Sequence, residues 1–264
     1  VDLPAAVTDR TTAHLAMLEQ RLPGYLTGLY LHGSLCWGEF FPGSDIDFVA
    51  TTSRRPGEAE IATLRTIHDE LAVGTDEATP AYDGFYVLES DLALDPTTIS
   101  VQPGVLAGDF AVAHHGDASL VTWHELAERG ITVAGKPASE LDIFTNLPVL
   151  QAFSRDNLQT YWASAAARVA AEPDLSPAVG AWCVLGITRL DHLIREGSLT
   201  SKSGAGRWAL NHLDRRHRPV IEDALAWREA GQERLEPSAR AVAVADLMYD
   251  VLAAYDITPE PDHC

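Results

Sequence analysis

The chain has 264 residues, 46% of them hydrophobic and 22% charged, which suffices for one large domain or two modest ones with a full core. Its formal net charge of −19 argues against long nucleic-acid partners, which need clustered Lys and Arg to neutralise phosphates. No stretch approaches the ~18 apolar residues of a membrane span, no charged-then-apolar leader is visible, and the three scattered cysteines (Cys36, Cys183, Cys264) imply no disulfide framework, so a cytoplasmic protein without a membrane partner is expected.

In chain order, Leu15, Leu18 and Leu22 predict a helix over 11–22, closed by Pro23-Gly24. A strand is expected over 26–32, and Gly33-Ser34 turns out of it. Asp45 to Thr51 reads as a second strand, 58–73 as a helix, and Asp83 to Leu88 as a third strand. On that strand Asp83, Phe85 and Val87 share one face. The order helix, strand, strand, helix, strand suggests an α/β unit with its acids on one sheet edge. Beyond about residue 145 the texture becomes helical. Helices are expected over 149–171, 177–196, 202–213, 218–230 and 238–255, broken near Pro173, Gly197, Pro219 and Glu236-Pro237. This places domains at 1–146 and 147–264, with an unstructured tail from Pro259.

Asp45 and Asp47 carry the chemistry. Positions i and i+2 on a strand share a face and lie roughly 6–7 Å apart, so the two acids project together while Ile46 turns inward. Two like charges about 4 Å apart repel by roughly 4 kcal/mol at an effective dielectric of about 20. A divalent cation relieves that repulsion, and oxygen ligands with positions left for phosphates describe a magnesium site. Asp83 is a third acid about forty residues on, although Asp83-Gly84 also has the composition of a tight turn. His114-His115 beside Asp117 reads as loop or surface, and the basic run Arg215-Arg216-His217-Arg218 as a solvated helix end.

The segment Gly33-Ser34, then Ser44-Asp45-Ile46-Asp47, resembles the nucleotidyltransferase superfamily that includes DNA polymerase β and the antibiotic-modifying adenylyltransferases. With Asp83 before a hydrophobic strand, Val133-Ala134-Gly135-Lys136-Pro137 and the helical second half, the chain is similar to the streptomycin/spectinomycin adenylyltransferases. The resemblance implies an α+β protein, in which a polymerase-β-like nucleotidyltransferase domain with a mixed sheet precedes an all-α helical bundle. It implies ATP as co-substrate, Mg2+ on Asp45 and Asp47, and Gly33, Ser34 and Ser44 at the nucleotide phosphates. Asp83 falls on the family's catalytic glutamate. Arg189 and Lys202 match an arginine and a lysine that the helical domain brings to the triphosphate. Trp227 lies near a family aromatic associated with the nucleotide.

Departures are also visible. The third acid is Asp rather than Glu, an antibiotic-holding tryptophan has no counterpart over 95–108, and acids that receive aminoglycoside amines are replaced by Val179, Gly180, Ala181 and Trp182. The expected activity is Mg-dependent adenylyl transfer from ATP to a hydroxyl of a small, cationic acceptor such as an aminoglycoside. The alternatives are another small-molecule or protein acceptor, or a nucleotide-binding, antitoxin-like protein that turns nothing over.

Overall fold

The structure, a computed structural model, describes residues 2–73, 79–114 and 118–258. His115, Asp117 and the 259–264 tail lie outside the described residues. Contacts divide the chain into two units, Val1–Thr145 and Asn146–Cys264. Among the described residues no helix is long and apolar enough to cross a membrane.

The first unit runs α1 (Ala5–Arg21), β1 (Leu26–Leu31), β2 (Ile46–Thr52), α2 (Glu58–Ala72), β3 (Tyr82–Leu88), β4 (Gln102–Leu106), β5 (Asp109–His114), α3 (Leu120–Arg129) and β6 (Ile131–Ala134). The strands form one sheet in the order β5-β4-β3-β2-β1-β6. Only β2 and β3 pair in parallel, so the sheet is mixed, as the α+β class expected. Alternation along each strand sends its side chains to two cores. Leu29, Leu31, Phe48, Ala50, Tyr82 and Tyr86 pack with Val7 and Leu18 of α1 and Leu64 and Ile67 of α2. Tyr30, Val49, Phe85 and Val87 pack with Trp123 and Leu126 of α3.

The helix-facing core contains a neutral polar network. His14 Nδ1 bonds Tyr82 Oη at 2.8 Å, His14 Nε2 bonds Tyr86 Oη at 2.6 Å, and His68 Nε2 reaches Tyr86 Oη at 2.7 Å. Burial drives both imidazoles below their ordinary range, His68 to about 3. The network is satisfied without charge.

The second unit comprises α4 (Leu147–Asn157), α5 (Ala163–Ala171), α6 (Pro177–Glu196), α7 (Lys202–His212), α8 (Arg218–Ala230) and α9 (Pro237–Ala253). The single helix expected over 149–171 is interrupted by a π-helical turn at Leu158–Trp162. This turn places Trp162 against Gly186 of α6, where a Cβ would lie 2.4 Å from the indole. The helix starts are built by their sequences. Asn146, Ser176 and Ser201 each accept a backbone N–H of the following turn. Pro219 and Pro237 occupy first turns, where a missing N–H costs nothing.

Arg240, fully buried, donates through Nε to Asp223 Oδ2 at 2.7 Å and also bonds the carbonyls of Leu175 and Leu235. Burial pushes the Asp223 carboxyl up, but Arg240 and the amides of Arg234 and Leu235 outweigh it and hold it below its usual value. Gly180 leaves the room this arginine needs, since a Cβ there would meet Arg240 Cδ at 2.7 Å. His217 does not belong to a solvated helix end: it is buried and bonds Asp250 Oδ2 at 2.7 Å.

Candidate active site

The site grows from the ends of two adjacent strands. Asp47 on β2 and Asp83 on β3 are direct partners in the parallel register. Aligned residues on parallel neighbours share a face, so the two carboxylates stand side by side. Asp45 sits just ahead of β2 rather than inside it and is exposed, while Ile46 is buried in the helix-facing core. Ile46 turns inward as expected, whereas the strand begins one residue after Asp45 instead of at it. Asp83-Gly84 is strand interior, not a turn. Gly84 is needed there because a Cβ would lie 2.1 Å from the Phe48 carbonyl oxygen.

Gly33 opens a 3-10 turn, Gly33–Trp37, that follows β1. Its φ of 63° is in the left-handed region, which glycine adopts without steric cost. An added Cβ would lie 1.8 Å from Asp47 Oδ2, so the turn's backbone rests on the Asp47 carboxylate. The next residue, Ser34, has a buried hydroxyl with no hydrogen-bond partner in the structure. A buried, unmatched hydroxyl costs about 1–3 kcal/mol, and an anionic ligand would remove that cost. Ser44 is placed differently: its Oγ accepts the Phe41 N–H at 3.1 Å and closes a local turn.

Asp83 is fixed by a neighbour that the sequence pattern did not reveal. Its Oδ1 accepts the Ala107 N–H at 2.9 Å. Ala107 (φ 51°) and Gly108 (φ 83°) form the two-residue loop between β4 and β5, the conformation of a type I′ hairpin. The hairpin, unexpected from the sequence, thus orients the third acid.

Glu125 was also missed. It lies on α3, buried, and its Oε2 accepts the Gly33 N–H at 2.9 Å while its Oε1 accepts the Trp37 indole N–H at 2.6 Å. His32 Nδ1 stands 3.4 Å from Oε2. The helix pattern gave no signal for it: Glu125 faces away from the stripe of Leu120, Trp123 and Leu126, and is buried by the turn that follows β1.

The donor set suits a hard cation. Magnesium is usually held by one or two carboxylates, with phosphate and water oxygens completing six positions. Asp45 and Asp47 offer two carboxylates of this kind, and the described residues include no cluster of three His, Cys, Asp or Glu poised for an all-protein cage.

In the second unit, Arg189 lies half-buried on α6 and Lys202 opens α7. The acids nearest Arg189 in sequence are engaged elsewhere. Asp191 Oδ1 accepts from Arg195 and Tyr255, and Glu196 accepts the Trp208 indole N–H. Trp227 packs half-buried against the helical core, which gives it a structural role there. Trp182 is exposed and stacks on Trp162 with ring centroids 4.9 Å apart, flanked by exposed Tyr161.

Comparison with known proteins agrees with this architecture. Residues 153–252 match the family model described as aminoglycoside adenylyltransferase, C-terminal domain. An aminoglycoside (3'') (9) adenylyltransferase of Escherichia coli is 26% identical over 263 residues, covering 94% of each chain. A protein of the same name from Klebsiella pneumoniae is 25% identical over 234 residues, 83% of this chain and 84% of that one. Among solved structures, a spectinomycin adenyltransferase from Enterococcus faecialis, determined with ATP and spectinomycin, superposes with a TM-score of 0.70. At 12% identity over 92% of this chain and 98% of that one, this likeness shows the fold. Taken with the end-to-end sequence relatives, it makes the chain a nucleotidyltransferase that resembles the aminoglycoside adenylyltransferases.

Proposed function

We propose that the protein transfers the adenylyl group of ATP to a hydroxyl of a small, cationic acceptor of the aminoglycoside class. The observation that carries this reading is the register pairing of Asp47 with Asp83 beneath a glycine turn that admits no side chain. The adenylyltransferase relatives, one of them solved with ATP and spectinomycin, support the choice of donor and acceptor.

In this mechanism the acceptor oxygen attacks the α-phosphorus, the new O–P bond forms, and the bond to the α–β bridging oxygen breaks to release pyrophosphate. The hydroxyl proton passes to the Asp83 carboxylate, whose orientation is set by Ala107. Asp45 and Asp47 would hold magnesium, which supplies positive charge to the phosphate oxygens when bound. Ser34 offers its hydroxyl to a phosphate, and Gly33 lets the backbone come close. Arg189 and Lys202 are assigned to the β- and γ-phosphates, where fixed charge offsets what develops on pyrophosphate. Ser44 serves the site indirectly, by shaping the loop that delivers Asp45.

The test is pyrophosphate release across a panel of aminoglycosides and spectinomycin, with Asp83→Asn alongside. Release with at least one member, and a fall of about 10²–10⁴-fold in Asp83→Asn, is expected. No release with any member, or full turnover in Asp83→Asn, contradicts the proposal. The apolar Val179 and Trp182, both exposed where related enzymes carry acids, favour an acceptor with fewer amines within the same panel. Preferential release with the least cationic member would bear that out.

A further inference from the structure

We propose that Glu125 is a positioning residue for the nucleotide: its carboxylate braces the Gly33–Trp37 turn so that Ser34 and Asp47 keep the geometry that binds the phosphates. The proposal rests on the nucleotidyl-transfer reading and adds to it a residue outside the acid motif. The brace has three contacts from one helix. Glu125 takes the Gly33 N–H on one oxygen and the Trp37 indole N–H on the other. One helical turn further along α3, Arg129 lies over the Trp37 ring, 3.8 Å from its centroid. The first and last residues of the turn are therefore both tied to α3. Between them lies Ser34, and directly against Gly33 lies Asp47 Oδ2.

The chemistry of the brace specifies its residue type. Two N–H donors of the turn converge on Glu125, with His32 Nδ1 3.4 Å from the oxygen that takes Gly33, and a carboxylate presents two acceptor oxygens. A glutamine presents one oxygen and one NH2, so Glu125→Gln sets a donor against a donor. The turn must then release either Gly33 or the indole. Because the Gly33 N–H points at Glu125, it is not among the amides offered to a phosphate. Affinity for the triphosphate instead depends on Ser34 being held in place.

Kinetics of Glu125→Gln, Trp37→Phe and the double variant test this, with Asp47→Asn in parallel. Glu125→Gln should lower kcat/KM for ATP by about 10–100-fold, the usual cost of losing a partner that orients a ligating group. The acceptor KM should stay close to that of the parent, while the thermal midpoint falls, because a buried donor is left unmatched. Trp37→Phe removes one donor while Glu125 keeps Gly33, so it should lose less than Glu125→Gln. In the double variant the glutamine amide no longer faces the indole, and kcat/KM for ATP should recover most of the loss, a non-additivity that general destabilisation does not produce.

Glu125→Gln with parental kcat/KM, Trp37→Phe as the worse variant, or a double variant no better than Glu125→Gln would each overturn the brace. If Glu125→Gln fails to fold, the double variant decides alone: folded and active supports the proposal, folded and inactive overturns it. Should Asp47→Asn keep full activity, the nucleotidyl-transfer reading fails, and the brace with it. Loss in Asp47→Asn with none in Glu125→Gln rejects the brace only.

Discussion

The two units bury their carboxylates to opposite ends. In the helical unit Asp223 is enclosed by Arg240 and two backbone amides, and every contact around it lowers the energy of the folded chain. In the sheet unit Asp47 and Asp83 are placed side by side on adjacent parallel strands, and like charges in such positions weaken a sheet. The deepest polar groups of the first unit are neutral imidazoles and phenols bonded to each other, and its buried carboxylates Glu125 and Asp91 have partners in the Gly33 and Trp37 N–H groups and in Arg55. A carboxylate bonded on all sides is there for the fold, whereas two aligned carboxylates under a glycine turn are the arrangement on which the proposed active site is built.

The largest effect should come from breaking the enclosed carboxylate. Asp223→Asn leaves buried Arg240 with only the exposed Glu233, 3.4 Å away, as counter-charge and should destabilise the helical unit by about 3–5 kcal/mol in urea unfolding. A loss under about 1 kcal/mol would mean that the pair contributes little. Next comes the neutral network. Burial holds His14 and His68 below the ordinary value of 6.5, so both are neutral when folded and take up protons on unfolding at lower pH. The contribution of His68 is complete above pH 6.5 and is lost as pH falls toward about 3, and that of His14 is lost in the same direction. Each histidine accounts for at most about 1.4 kcal/mol per pH unit, and His68→Gln should flatten the pH dependence of unfolding measured between pH 6.5 and 4. An unchanged slope would remove His68 from the network.

The acid motif was legible because its elements are local: a strand, a glycine turn and a second strand within about twenty residues. The helices of the second unit were equally readable, since caps, prolines and terminal glycines mark their ends; α6 and α8 have the expected limits. What the sequence hid is the far side of the sheet. Pro103 and Gly104 disguise β4, β6 is four residues long, and neither reaches a pattern length that separates strand from loop. The roles of Ala107 and Glu125 depend on strand order, which pairs β3 with β4 and brings α3 against the turn after β1. Long-range pairing of that kind leaves no periodic trace. Helix α1 begins six residues before the expected start at Thr11, because only Val7 marks its first turns as buried. The replacement of an acid by Gly180, read as a change in the acceptor site, has a structural cause in the room required by Arg240.

Calorimetric titration of ATP into the parent protein and Asp47→Asn, with magnesium and with a chelator, goes to the centre of the account. Binding that requires magnesium in the parent, and loses that requirement together with most of its affinity in Asp47→Asn, is the predicted result. Equal affinity with and without the metal, or an Asp47→Asn variant that binds as the parent does, would contradict it.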